Sequence, residues 1–286
     1  MSYTKTQHSA PYGSISPKLP SLSAAGKTVL IAGASSGIAQ ATARAFLEAG
    51  STRLALVSRR TALFAPLVAE LKAQYPDARI ATFEADVADG AALEAAFDGI
   101  GAVVDVVVNF AGYQPTLASV VQTDLAEWWR GFEVNVLGAA TLARVVAGRA
   151  APGAVLLQLG TAGAFFPAQF PMSGYAVSKL ALVKLMEYFG AENPGLRVIT
   201  VHPGVVPGTE GGQKMVEQSG LAWPGDDINL PAHFLVWAAS DEARFLKNKY
   251  VSANWDVDEL KAREQEIAGS PELTVGLNGF PRDADN

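Results

Sequence analysis

The chain has no cysteine in its 286 residues, which excludes disulfides, thiolate nucleophiles and zinc-thiolate sites and leaves the redox compartment open. Histidine is scarce: His8, His202 and His233 stand far apart without metal-ligand spacing, so no metal site is expected and each reads as structural or surface. Cations are outnumbered, with a formal charge of −6, and no basic stripe for nucleic acid is present. The opening MSYTKTQHSAPYGS lacks the apolar core of a signal peptide, and no apolar run is long enough to span a bilayer. A cytoplasmic protein that meets neither nucleic acid nor membrane is the expectation. What the chain does have is apolar mass, 49% of its residues, enough to bury the core of one large domain.

Residues 1–25 are rich in Ser, Pro and polar groups and read as an extended or disordered arm. From residue 27 short β-branched apolar runs recur, at 27–32, 53–57, 79–84, 103–109, 154–159 and 197–202. Helical segments are expected between them, at 37–49, 61–74, 91–97, 123–149 and 173–192. Strand alternating with helix at this spacing predicts one α/β domain over 26–253, a doubly wound parallel sheet of Rossmann type with helices on both faces. The stretch 205–230 is rich in Gly and Pro and predicts a mobile lid, a helix follows at 231–240, and residues 254–286 form a C-terminal extension. The 173–192 helix is apolar almost all round, so one side is expected to face the sheet and the other a second subunit, with deep burial in the monomer as the alternative.

Tyr175-Ala-Val-Ser-Lys179 puts a phenol and an ammonium four residues apart on one helix face. A close positive charge favours the phenolate and pulls the tyrosine below its ordinary value of about 10, toward usable acid/base chemistry. After the first strand comes Gly33-Ala-Ser35-Ser36-Gly37-Ile38-Ala39, opening a helix. Glycines there let backbone approach a pyrophosphate, and the helix N-terminus offers it unpaired N–H groups. The second strand ends in Ser58-Arg59-Arg60 with no acidic residue, so it offers cations, not a ribose-binding carboxylate. Arg59 is the favoured contact for a 2′-phosphate, with Arg60 and Ser35 or Ser58 as helpers. Asp86-Val87 closes the third strand, where it can meet an adenine, and Asn109-Phe-Ala111-Gly112 closes the fourth.

Together these residues resemble the short-chain dehydrogenase/reductase family, from about Lys27 to Pro203. Its glycine-rich turn is matched at Gly33 and Gly37, with Ala32 and Ala39 departing; its Asn-Asn-Ala-Gly element at Asn109, Ala111 and Gly112, with Phe110 departing. Its helix asparagine fits Asn135, its Tyr-x-x-x-Lys fits Tyr175 and Lys179, and its proline-glycine step fits Pro203-Gly204, with Val206 just beyond. The tail around Asn254-Trp255-Asp256 is similar to a branch common in filamentous fungi. The catalytic serine of the family has no counterpart; Thr161 supplies the nearest hydroxyl, either as its replacement or as a structural threonine beside a serine-less site.

The resemblance implies an oxidoreductase that uses NADP(H) to reduce a ketone or aldehyde. It implies Tyr175 as proton donor, Thr161 as a hydrogen bond to the carbonyl oxygen, Lys179 lowering the tyrosine and holding the nicotinamide ribose, and Asn135 anchoring a water. A homodimer or homotetramer is expected. Phe165, Phe166, Phe170, Met172 and Trp223 flank the expected substrate side and favour a bulky apolar or aromatic molecule, or else belong to core or interface. The departures from the pattern leave a second reading, a dinucleotide-binding scaffold without net redox chemistry: an isomerase, a cyclase or a ligand-sensing protein.

Overall fold

The computed structural model describes residues 2–35, 37–168, 170–219 and 224–278. Seven strands, β1 (Thr28–Ala32), β2 (Arg53–Ser58), β3 (Arg79–Glu84), β4 (Val104–Asn109), β5 (Ala150–Leu159), β6 (Arg197–His202) and β7 (Lys249–Ser252), form one sheet. Their order is β3-β2-β1-β4-β5-β6-β7, and every pair is parallel. The central runs are β-branched and buried on both faces, β1 at every position, which is why they read as continuous apolar segments and not as alternating ones. One face is covered by α1 (Gly37–Glu48) and α8 (Asn229–Ala239), whose Phe46, Phe234 and Trp237 are fully buried. The other is covered by α3 (Gly90–Gly99), α5 (Ala139–Arg149) and α6 (Ser173–Glu192), through residues such as Leu93, Leu142 and Leu182. The doubly wound sheet of the sequence reading is therefore what forms.

Local chemistry moves several boundaries. The run 61–74 divides into a 3₁₀ turn and α2 (Ala65–Gln74), because Pro66 sits in the first turn and has no N–H to continue a helix backwards. The stretch 123–149 is three pieces: α4 (Leu125–Phe132), a π-helical turn at Glu133–Gly138, and α5. Asp124 caps α4 by accepting from Ala126 N–H. The expected lid contains α7 (Glu210–Ser219), and β7 enters unannounced, a four-residue strand opened by a lysine. Of the predicted site residues, Ser36 and Trp223 lie outside the described residues.

The N-terminal segment differs most from expectation. Residues 2–25 pack on the domain, with Ile15, Leu22 and Ala24 in its core. The Glu259 carboxylate accepts from Lys5 and Thr6 N–H, the His8 ring meets Asp256 at 2.8 Å, and Gln7 bridges to Trp255. Short α9 (Val257–Ala262) and α10 (Glu264–Gly269) complete this layer, with Asp256 capping α9 through Asp258 and Glu259 N–H. Polar composition concealed a few apolar anchors whose partners lie more than two hundred residues away. Truncating one of them, Ile15→Ala, is expected to cost about 2–4 kcal/mol in urea unfolding, the scale of a buried aliphatic deletion; a loss below about 1 kcal/mol would mean that the segment does not belong to the folding unit.

Candidate active site

Between β1 and β4 the strand order reverses, the switch point at whose crevice open α/β sheets bind their ligands. Gly33 turns there with φ +73°, and a Cβ on it would lie 2.5 Å from Ala111 N, so only glycine lets the first turn pass the fourth. Ser35, Gly37 and Ile38 follow at the mouth of α1, which Thr42 tightens by donating to Ile38 O. Ala39 is fully buried against the sheet, so this departure from the family pattern changes packing and not the turn.

At the next strand end Ser58 is buried and accepts from Arg60 N–H, while Arg59 and Arg60 are exposed. Arg59 reaches the Asp86 carboxylate at 3.7 Å, so two residues expected to hold different parts of a dinucleotide meet each other. Both are half in solvent, which makes the pair weak and easily exchanged. Asp86 also accepts from Ala88 N–H, and Val87 is buried beneath Gly138. Asn109 is engaged within the protein: its amide donates to Gln158 and its oxygen accepts from Ala111 N–H, tying β4 to β5 and shaping the turn to Gly112.

The acid/base residues converge where β4, β5 and α6 meet. Lys179 is buried, its ammonium donating to Leu159 O at 3.1 Å. A Cβ on Gly112 would come within 3.2 Å of that ammonium and 3.3 Å of Asn135 Oδ1, so the chain passes directly over both. Asn135 lies in the π turn; its oxygen accepts from Tyr113 N–H, and its amide donates to Tyr113 O and Ser178 Oγ. The side chain is thus a brace between the loop after β4 and α6, which leaves one oxygen lone pair and the main chain for any water.

Thr161 stands where the hydroxyl was sought, just past β5, in extended backbone with Oγ1 accepting from Gly163 N–H. Its hydroxyl lies near enough to the Tyr175 phenol to favour the phenolate. The tyrosine corrects the sequence reading. Burial pushes Tyr175 above its ordinary value, and the Thr161 hydroxyl, not Lys179, supplies the opposing influence. Lys179 is itself pushed down to about 8 by burial. In so dry a place the loss of water outweighs what the ammonium offers.

Beyond β6, Pro203 and Gly204 lead into Val205 and the buried Val206. Gly204 has φ +84°, and a Cβ there would collide with the Asp226 carboxylate. That carboxylate accepts from Val205 N–H at 2.6 Å and from the Asn254 amide at 2.9 Å. Asp226 is not singled out by the sequence, and Asn254 reads there only as part of the tail that resembles a fungal branch. Phe165, Phe166 and Phe170 are exposed on the loop after Thr161, and Met172 lies against Gly163. Lys214 and Gln218 of α7 hold the loop after β4, by bonds with Gln114 O and Leu117 N–H. Among the described residues no cluster of potential metal ligands occurs, and no helix is long and apolar enough to cross a membrane.

Residues 33–247 match a family model described as enoyl-(acyl carrier protein) reductase. A short chain dehydrogenase/reductase of Aspergillus aculeatus, AacuD, is 36% identical over 278 residues, covering 96% of each chain. One from Claviceps purpurea is 35% identical over 279 residues, 96% of this chain and 94% of its own. Among solved structures, a 3-oxoacyl-[acyl-carrier protein] reductase from Brucella melitensis is 26% identical, with a TM-score of 0.70 over 86% of this chain and 96% of that one. A short chain dehydrogenase from Shigella flexneri complexed with NADP has the same fold at 17% identity, with a TM-score of 0.73 over 82% and 99%. The chain belongs to the short-chain dehydrogenase/reductase family, and is an oxidoreductase similar to fungal members.

The depressed Lys179 ammonium makes stability depend on pH. Between about 8 and its ordinary 10.5 the unfolded chain binds the proton and the folded chain does not, so this residue's destabilisation is full below pH 8 and relieved as pH rises through that window. Lys179→Met is therefore expected to unfold at higher urea than the parent at pH 7, by about 3 kcal/mol or less, with the gap closing toward pH 10.5. A gap independent of pH would mean that the ammonium is not desolvated.

Proposed function

We propose that the chain reduces a ketone or aldehyde on a bulky apolar small molecule, using NADP(H). The observation that carries this reading is the placing of a half-buried Tyr175 beside the Thr161 hydroxyl and one helical turn from the buried Lys179. The chain's own residues suit the cofactor. The turn at Gly33 leads into the N-terminus of α1, and Arg59 is bound only by a weak pair that a 2′-phosphate can replace. Gly33, Ser35, Ser36, Gly37 and Ile38 would hold the pyrophosphate, Ser58, Arg59 and Arg60 the 2′-phosphate, and Asp86 and Val87 the adenine. Asn109, Ala111, Gly112, Tyr175, Lys179, Pro203, Gly204 and Val206 would line the nicotinamide half.

When bound, NADPH supplies hydride to the carbonyl carbon. Everything else concerns the oxygen. Tyr175, raised by burial, is fully protonated near neutrality and so is poised as a donor. Its phenol gives a proton to the carbonyl oxygen while the Thr161 hydroxyl donates a hydrogen bond to the same atom. Lys179 at about 8 is acidic enough to favour proton return to the phenolate and still charged at pH 7. Asn135 holds the loop over that ammonium, and a water on its free lone pair or main chain would connect the relay to solvent. The exposed Phe165, Phe166 and Phe170 support an apolar, aromatic substrate. Exposed Leu125, Trp129, Leu137, Val177 and Tyr188 on α4, the π turn and α6 support a homodimer or homotetramer.

Tyr175→Phe is expected to lower NADPH-dependent ketone reduction by roughly 10²- to 10⁴-fold without loss of NADPH binding. Thr161→Val should lose about 10²-fold while Thr161→Ser keeps most activity. A Tyr175→Phe enzyme at parental speed would sink the mechanism; a valine variant at parental speed would leave Thr161 structural. Replacing Arg59 with Ala should weaken NADPH by about 1.5–3 kcal/mol in fluorescence titration and leave NADH nearly unchanged. Equal losses would make the arginine a purely structural partner of Asp86.

A further inference from the structure

Tyr250 of β7 pairs in register with Thr200 of β6, so the two side chains share the α6 face of the sheet. The ring presses on the backbone beside the catalytic cluster. A Cβ on Gly160, the residue before Thr161, would meet Thr200 Cγ2 at 2.8 Å and Tyr250 Cε2 at 3.3 Å. Phe165, on the apolar loop, packs edge-on against the same ring with centroids 4.7 Å apart. The phenol oxygen is buried and has no hydrogen-bond partner in the protein. Its titration is pushed up by burial and further by the charge of a Tyr175 phenolate, which puts the two phenols within electrostatic reach. Two residues beyond Thr200 on that face, His202 Nδ1 is likewise buried and unpartnered, on an imidazole kept neutral by burial.

An unmet buried hydroxyl is costly, and phenylalanine would fill the same space without that cost. The ring lies between Gly160 and Phe165, beside the backbone that carries Thr161, so a shift of the exposed Phe165 would open the buried hydroxyl to the substrate side. We propose that Tyr250 is a specificity-determining residue whose hydroxyl hydrogen-bonds a second oxygen of the substrate, so that the preferred substrate is an aromatic ketone carrying a further hydroxyl or carbonyl. This rests on the reductase reading above and narrows its substrate class.

The test compares 1-tetralone with its 5-, 6-, 7- and 8-hydroxy derivatives in the parent and in Tyr250→Phe. In the parent at least one hydroxylated ketone should be favoured in kcat/KM by about tenfold, the scale of one neutral hydrogen bond. In Tyr250→Phe that ratio should fall toward one, with Tm equal to or above the parent because an unpaired hydroxyl has been removed. Equilibrium binding of the same five ketones, followed by tryptophan fluorescence, reads the ratio without turnover. A parent that binds them selectively but reduces none sinks the reductase reading and leaves the Tyr250 ratio decisive. A ratio unchanged in Tyr250→Phe, a parent with no preference among the five, or a fall in Tm with equal losses on all five overturns the proposal.

Discussion

The buried ammonium of Lys179 is the constraint around which the catalytic end of this molecule is arranged. A charge taken out of water is tolerated only if acceptors replace that water. Here Leu159 O, at the last residue of β5, provides one. The remaining space is closed by Gly112 from the loop after β4 and by Asn135 from the π turn. Each contributor comes from a different element, so the lysine is held only when sheet, helix and loop are all in place. The same desolvation raises the Tyr175 phenol above its ordinary value and lowers the ammonium to about 8, driving the two acidities apart. A proton would therefore pass downhill from the Lys179 ammonium to a Tyr175 phenolate, which favours return of the phenol to its protonated form.

Topology divides the labour around this charge. On one side of the reversal, β1 and β2 lead into small, hydroxyl and cationic residues, and β3 leads into the carboxylate of Asp86. On the other, β4, β5 and α6 bring together the groups proposed to act on a carbonyl oxygen. The two halves are kept in register by close backbone contacts: Gly33 lies against Ala111, and Phe110 N–H donates to Ala32 O at 2.8 Å. A side chain at Gly33 would force them apart, which links the glycine of the first turn to the geometry of the proton donor.

The sheet was legible because its strands are buried on both faces and separated by helices of ordinary length. Tyr175 and Lys179 were legible because a helix places residues four apart on one face. The direction of the tyrosine's shift was not. Charge proximity can be read from spacing, whereas desolvation depends on what the fold packs around the pair. Ser178, Tyr113 and Asp226 escaped notice for a related reason: each acts through a partner that no local pattern announces. Residues 2–25 were misjudged on composition, since a few buried side chains such as Ile15 and Leu22 outweigh many polar ones once the C-terminal extension supplies a surface. The strand β7 is short and opens with a lysine, whose ammonium donates to Ser270 O and Glu272 O of that extension.

That extension and the N-terminal segment also bear on the region expected to act as a lid. Asp226 holds Val205 N–H just past Gly204, Asn254 holds Asp226, and the Asn254 amide also donates to His8 O. Asp227 N–H donates to Ser9 O, so the far end of the 205–230 stretch is tied to the N-terminal segment as well. These bonds are partly buried and interlocked. At the other side α7 reaches the loop after β4 through Lys214 and Gln218, the second of these bonds exposed to solvent. Net contributions of about 0.5–1.5 kcal/mol for such hydrogen bonds make release of α7 much easier than release of its base. Motion in this stretch would then swing α7 about a base held by Asp226 and leave Pro203 and Gly204 in place, so that access to the crevice can change without disturbing Lys179.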